Sequence, residues 1–208
     1  MSITIIWRSR CGIVSQAALV LYLCAAVEAV ELPSPTGAVK LTVDAVIGIL
    51  TDQVLAQPQQ HERRRRLLET TVGRRFDYRE ISRRALGRQW SRISESERHE
   101  FVELFQAFLA DRYADRIEEY VNEAVEYLEE RQENGWAEVR TRLVSDKINL
   151  PVDYRLFVKT GDWFVYDVVI DGVSLVKNYR SQFRAIIQKS SYAELVHRLR
   201  DKTIADPE

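Results

Sequence analysis

Tyr166-Asp-Val-Val-Ile-Asp-Gly-Val-Ser-Leu-Val-Lys-Asn-Tyr-Arg-Ser-Gln-Phe183 changes its apolar period part-way along. Tyr166, Val168 and Ile170 alternate as far as Asp171-Gly172, a dipeptide suited to a tight turn because glycine takes positive φ without steric cost. From Ser174 onward the apolar residues Leu175, Tyr179, Phe183 and Ile186 recur at helical spacing. The segment reads as a strand that turns into a helix, so the chain combines sheet and helix.

The strand has a partner immediately upstream. Val152 to Lys159 and Trp163 to Ile170 form a predicted hairpin, and its register follows from chemistry. With Thr160-Gly161-Asp162 as a three-residue loop, Arg155 falls opposite Asp167. Val152 then pairs with Ile170, Tyr154 with Val168, Leu156 with Tyr166 and Val158 with Phe164, while Phe157 meets Val165 on the other face. A two-residue loop would set Arg155 against Val168 and forfeit cross-strand pairs worth ~0.2–1 kcal/mol each. The expected hairpin therefore has the longer loop and one wholly apolar face.

Asn134-Gly135 marks a second hairpin, since both residues tolerate the positive φ of a type I′ turn. It joins Trp136–Val144, where apolar and charged residues alternate, to a strand through Val125–Arg131 whose composition alone would also suit a helix. Helices precede the strands. Thr36 is the expected N-cap of a helix carrying Val39, Val43, Val46, Ile47 and Leu50. A second helix runs from His61 to Gly73. Its Arg63-Arg64-Arg65-Arg66 run is read as a solvated shoulder or as a contact for an acidic partner or lipid headgroups. Asp77 caps a short helix through Ile81, Ala85 and Leu86, and Ser94 with Glu97 forms a capping box. The helix that box starts carries Phe101, Leu104, Phe105, Phe108 and Leu109, continued by Tyr113 and Ile117. Two helices close the chain, Ser174 to about Lys189 and Tyr192 to about Lys202, the latter with a Ser191/Glu194 capping box. Helices, then an antiparallel sheet, then helices packing back is an α+β arrangement.

Residues 1–29 read as a secretory signal peptide: Arg8 and Arg10 without an acid, an almost uncharged run from Gly12 to Ala26, then Val27-Glu28-Ala29. Both cysteines, Cys11 and Cys24, fall inside it, which leaves residues 30–208 as one thiol-free domain large enough to bury a core without disulfides. The formal net charge of −1 lacks the footprint of a nucleic-acid binder. His61, His99 and His197 sit on three separate predicted helices and do not compose a metal triad. Asp167, an acid within an apolar strand, is accounted for by Arg155. These readings point away from an enzyme.

The Tyr166–Phe183 segment resembles the C-terminal signature of the MlaC family of toluene-tolerance auxiliary proteins. Phe76-Asp77, Ala85-Leu86-Gly87, Trp90, Phe101 and Phe105 match the family pattern in order and rough spacing. The resemblance implies an NTF2-related fold, a curved antiparallel sheet of about four strands wrapped by helices around an apolar cavity. It implies a periplasmic carrier that shuttles phospholipid between membranes to maintain outer-membrane lipid asymmetry, with bound phospholipid as cargo and no other cofactor. The partners implied are an inner-membrane ABC lipid transporter with its MCE-type subunit and an outer-membrane lipid-extraction complex. The walls expected for the lipid slot are Val152, Tyr154, Leu156, Val158, Phe164, Tyr166, Val168 and Ile170 from the hairpin, with Phe101, Phe105 and Phe108 from the aromatic helix. Arg180 is a candidate contact for a headgroup phosphate, because a guanidinium matches phosphate oxygens in a fork. Two alternatives stay open: carriage of another lipid such as a hopanoid, and an envelope adaptor with a filled NTF2-like core. A lined cavity and a filled core demand the same apolar face.

Overall fold

Three dipeptides, Asn134-Gly135, Thr160-Gly161 and Asp171-Gly172, fold the C-terminal half of the chain into a sheet. Each holds both of its residues at positive φ, between 48° and 79°, as a type I′ hairpin turn requires. The computed structural model describes residues 33–119 and 123–204; the signal peptide expected at 1–29 lies outside the described residues. The strands are β1 (Ala124–Glu133), β2 (Trp136–Val144), β3 (Asn149–Lys159), β4 (Asp162–Ile170) and the short β5 (Val173–Ser174). The three turns join β1 to β2, β3 to β4 and β4 to β5, and residues 145–148 join β2 to β3. The strands form one antiparallel sheet in sequence order. The fifth strand adds to the four expected. β1 is extended despite its helix-compatible composition, because the Asn134-Gly135 turn supplies β2 as its partner. A register shift between Tyr127 and Glu129 takes Leu128 out of the pairing, and that side chain is exposed.

The β3–β4 hairpin corrects the expected loop. Val152↔Ile170, Tyr154↔Val168 and Arg155↔Asp167 pair as predicted, but the register then shifts by one and gives Leu156↔Val165, Phe157↔Phe164, Val158↔Trp163 and Lys159↔Asp162. The loop is the two-residue Thr160-Gly161, and a β-bulge at Tyr166 absorbs the extra residue. Both demands are thereby met: a tight turn at one end and opposed charges at the other. Thr160 at φ 51° is unusual for a β-branched residue; the longer loop was expected because, without a bulge, it is the one that sets Arg155 opposite Asp167. A one-residue shift exchanges the faces of a strand. Trp163 and Val165 consequently point inward with Leu156, while Phe164 and Tyr166 point outward with Phe157. Outside, Tyr166 meets Trp136 edge-on with ring centroids 5.3 Å apart, and the Arg84 guanidinium lies 4.0 Å from the Tyr166 ring.

The helices are α1 (Pro35–Thr51), α2 (His61–Arg75), α3 (Tyr78–Leu86), α4 (Glu95–Glu119), α5 (Leu175–Lys189) and α6 (Tyr192–Arg200). None of the described helices is long and apolar enough to cross a membrane. Asp77 caps α3 by accepting from the Glu80 N–H at 2.9 Å, and Ser94 and Glu97 close their capping box at 2.7 and 3.3 Å. The cap of α1 is Ser34 and not Thr36: its Oγ accepts from the Gly37 N–H at 2.9 Å, with Pro35 in the first turn. Pro35 has no N–H to satisfy and a φ suited to a helix start, so the helix begins there. Replacing Ser34 with Ala should cost about 1 kcal/mol of stability, whereas Thr36→Ala should cost at most a few tenths. Urea titration of the two variants measures the difference, and equal losses would contradict the assigned cap.

Two apolar clusters form. One unites α3, α4, α5 and α6 through Ile81, Ala85, Phe101, Phe105, Phe108, Tyr179, Phe183, Leu195 and Leu199. Its rings pack mostly edge-on, with Phe105 and Phe183 5.0 Å apart and Phe105 and Tyr179 5.3 Å apart, a favoured aromatic geometry. The other lays Ala38 and Val39 of α1 on the inner face of the sheet, against Val139, Val152, Leu156, Trp163, Val165 and Val168. Trp163 donates its Nε1–H to the Pro33 carbonyl at 2.9 Å, which anchors the start of α1. Asp77 joins the α2–α3 junction to the sheet, since its N–H donates to the Val165 carbonyl at 3.0 Å and its carboxylate accepts from Lys159 Nζ at 2.6 Å.

Candidate functional site

The two clusters do not merge everywhere. Between them, closed on one side by α2, lies a cavity of about 480 Å³, within the size range of small-molecule sites. Helix α2 contributes Leu68 and Val72. The α2–α3 region gives Phe76, Tyr78 and Ile81, and α4 gives Phe105, Leu109, Ala110, Tyr113, Ala114 and Ile117. The sheet adds Leu143, Leu150, Val152, Tyr154, Val168 and Ile170, and α5 adds Leu175, Val176 and Tyr179. The exposed lining residues Glu69, Arg116 and Asp171 mark the rim.

Five of the expected wall residues border this space: Val152, Tyr154, Val168, Ile170 and Phe105. The others do not. Leu156 is fully buried in the sheet cluster and Val158 packs against the same cluster. Phe101 and Phe108 are spent in the aromatic packing of α4, α5 and α6. Phe164 and Tyr166 are on the outer face, turned there by the bulge. Arg180 also stands outside the cavity, exposed on the side of α5 away from Tyr179, and it bonds neither Asp167 nor Asp171. The walls that sequence reasoning passed over come chiefly from α2 and the second half of α4. Leu109, Tyr113 and Ile117 recur every four residues just beyond the phenylalanine stripe, and Leu68 and Val72 show the same spacing. That periodicity announced an apolar face without saying what it faced.

Burial pushes the Tyr78 and Tyr154 hydroxyls up to about 12, with Glu69 adding to the effect at Tyr78. Both rings present neutral phenols to an apolar lumen. Tyr113 Oη and Tyr179 Oη lie 3.5 Å apart on the opposite wall. Two of the carboxylates bordering the space, Asp167 and Glu69, are committed to other partners. Asp167 accepts from Arg155 Nη1 at 3.1 Å, from Ser174 Oγ at 2.6 Å and from the Val176 N–H at 3.1 Å, so it braces the sheet and the first turn of α5 together. Arg65, from the arginine run, reaches Asp111 at 2.6 Å and Glu69 at 3.3 Å. Lys202 and Arg65 together hold the Asp111 carboxyl below its usual range. His61, His99 and His197 stand exposed on α2, α4 and α6, beside Glu62, Glu103 and Asp201.

A model of the MlaC protein family matches residues 40–201. The chain belongs to the MlaC family. Every residue lining the cavity lies within that matched span. Among curated MlaC proteins, the intermembrane phospholipid transport system binding protein MlaC of Haemophilus influenzae is 23% identical over 122 residues, which is 56% of this chain and 57% of that relative. The match thus spans a little over half the relative's length. A solved structure of the phospholipid-binding protein from Ralstonia solanacearum, in complex with a phospholipid, superposes with a TM-score of 0.73 at 26% identity. That superposition covers 81% of this chain and 96% of the other. The MlaC fold is therefore shared across nearly the whole of the lipid-bound relative.

Proposed function

We propose that this MlaC-family protein is a phospholipid carrier, exported to the periplasm by its N-terminal 29 residues and moving lipid between outer- and inner-membrane complexes. The observation that supports this reading is the apolar cavity held between the two clusters, in a chain whose fold matches a protein solved with phospholipid. Burying about ten methylenes at ~0.8 kcal/mol each stabilises the bound lipid by roughly 8 kcal/mol, enough to hold acyl chains away from water. The headgroup lies at the rim, where Arg116 faces solvent with Glu69 and Asp171. The inner-membrane partner is an ABC lipid transporter with its MCE-type subunit, and the work served is maintenance of outer-membrane lipid asymmetry. Carriage needs walls and an opening; the reading assigns no residue to bond-making.

Organic extraction of the purified full chain, followed by mass spectrometry, tests this. The expected result is phospholipid near one molecule per protein. A hopanoid or other polycyclic lipid would change the cargo, and protein that neither carries nor takes up lipid would overturn carriage.

A further inference from the structure

A second recess, of about 420 Å³, lies on the far side of α5 from the cavity. Its walls are the 3₁₀ segment Gly87–Arg92 and the outward side of α5, and its charged residues are Arg88, Arg92, Arg180 and Arg184, with no acid among the lining. All four arginines are exposed, and among the described residues none of their side chains enters an ion pair or hydrogen bond. The contrast with the adjoining helix is direct: on α3, Arg79 pairs with Glu95, and Arg83 and Arg84 both pair with Glu80. Arg180 and Arg184 sit one turn apart on α5 and project to the same side. Gly87 positions the first of them. It adopts φ +54°, and a Cβ there would stand 3.1 Å from Arg180 Nε and 3.2 Å from its Nη2. The positive φ favours glycine at that spot, and a side chain there would also press the guanidinium back by a few tenths of an ångström.

We propose that this recess docks an acidic surface of a partner protein. Four like charges on a chain of net charge −1 create a local field that unpaired carboxylates would complement. The four guanidiniums are exposed and hydrated, so each separate pair is weak and useful binding requires several acids presented together. That disfavours a single small anion. A membrane surface fits less well, because peripheral attachment adds protruding apolar residues to the basic ones. The exposed large apolar side chains of the described residues, Leu41, Val54, Leu67, Leu128, Trp136 and Val173, all lie outside this recess. The docking role stands apart from cargo, since none of the four arginines borders the lipid cavity.

The test measures fluorescence anisotropy of a labelled peptide of repeating glutamate and serine with the full chain at roughly 50 mM salt, beside flotation with vesicles of equal phosphatidylglycerol and phosphatidylcholine. The expected result is salt-sensitive peptide binding, weakened at least about tenfold in Arg88→Gln/Arg184→Gln and unchanged in an Arg63→Gln/Arg66→Gln control. The reversed variant Arg88→Glu/Arg184→Glu should reject the peptide and accept its lysine counterpart, while extracting with the same lipid content as wild type. Loss of binding in the α2 control alone would move the site and overturn the proposal. So would peptide binding displaced by millimolar inorganic phosphate, vesicle binding without peptide binding, or no binding at all.

Discussion

Replacing Ala110 with Trp should empty the protein of lipid while leaving it folded. Ala110 faces the cavity from the middle of α4, so an indole there enters open space instead of packed atoms. If it excludes about three methylenes of cargo at ~0.8 kcal/mol each, affinity falls roughly fifty-fold. The melting temperature should move by no more than about 3 °C, the equivalent of ~1 kcal/mol for a chain of this size. Leu156→Trp is the informative contrast. That side chain is fully enclosed in the sheet cluster, so overpacking should cost ~1–3 kcal/mol while lipid per folded molecule stays near wild type. Co-purified phospholipid, quantified against folded protein, reads both. Wild-type lipid content in Ala110→Trp would show that the cargo sits elsewhere.

The second large effect is expected at Asp167, on stability. Its carboxylate is buried, 5% exposed, and accepts from three donors on three elements, β3, β5 and α5. Asp167→Leu leaves Arg155 with Glu138, 3.2 Å from its Nε, as its remaining acid. It takes the acceptor from two buried donors, the Ser174 hydroxyl and the Val176 N–H at the start of α5, at ~1–3 kcal/mol each. Arg155→Met should cost less, ~1–3 kcal/mol, because Ser174 and Val176 still satisfy the acid. The double variant should lose less than the two single losses combined, with a coupling of ~0.5–3 kcal/mol. Chemical denaturation of the four proteins closes the cycle. Zero coupling, with lipid carriage lost in Asp167→Leu at unchanged stability, would make Asp167 a functional group and not a brace.

Much of this molecule was legible from its residues. The Arg155–Asp167 pair was deduced from charge and alternation, and the structure places the two groups 3.1 Å apart. Asn134-Gly135, Asp77, Ser94 with Glu97, and Ser191 each did what their chemistry indicated, because turns and caps depend on a few neighbouring atoms. The α1 cap was displaced by two residues because Pro35 competed successfully for the first helical position. The cavity walls were half legible. Val152, Tyr154, Val168 and Ile170 border the cavity as read, Leu156 and Val158 keep the expected face but pack into the sheet cluster, and a single extra residue turns Phe164 and Tyr166 to the other face.

What the sequence by itself determined was therefore local: where the chain turns, where helices start, which strands are neighbours, and which faces are apolar. The tertiary structure alone decided what each apolar face meets. Phe101 and Phe108 fill a core, while Leu109, Tyr113 and Ile117 on the same helix border empty space, and nothing in residue type separates the two sets. The distinction is one of volume. Whether two apolar clusters close on each other or stand apart depends on how α2, the sheet and α5 are jointly held, and that is a sum over contacts distant in sequence. The same holds for the arginine recess: Arg88 and Arg184 are nearly a hundred residues apart, and only the packing of α3 against α5 gathers their charges into one place.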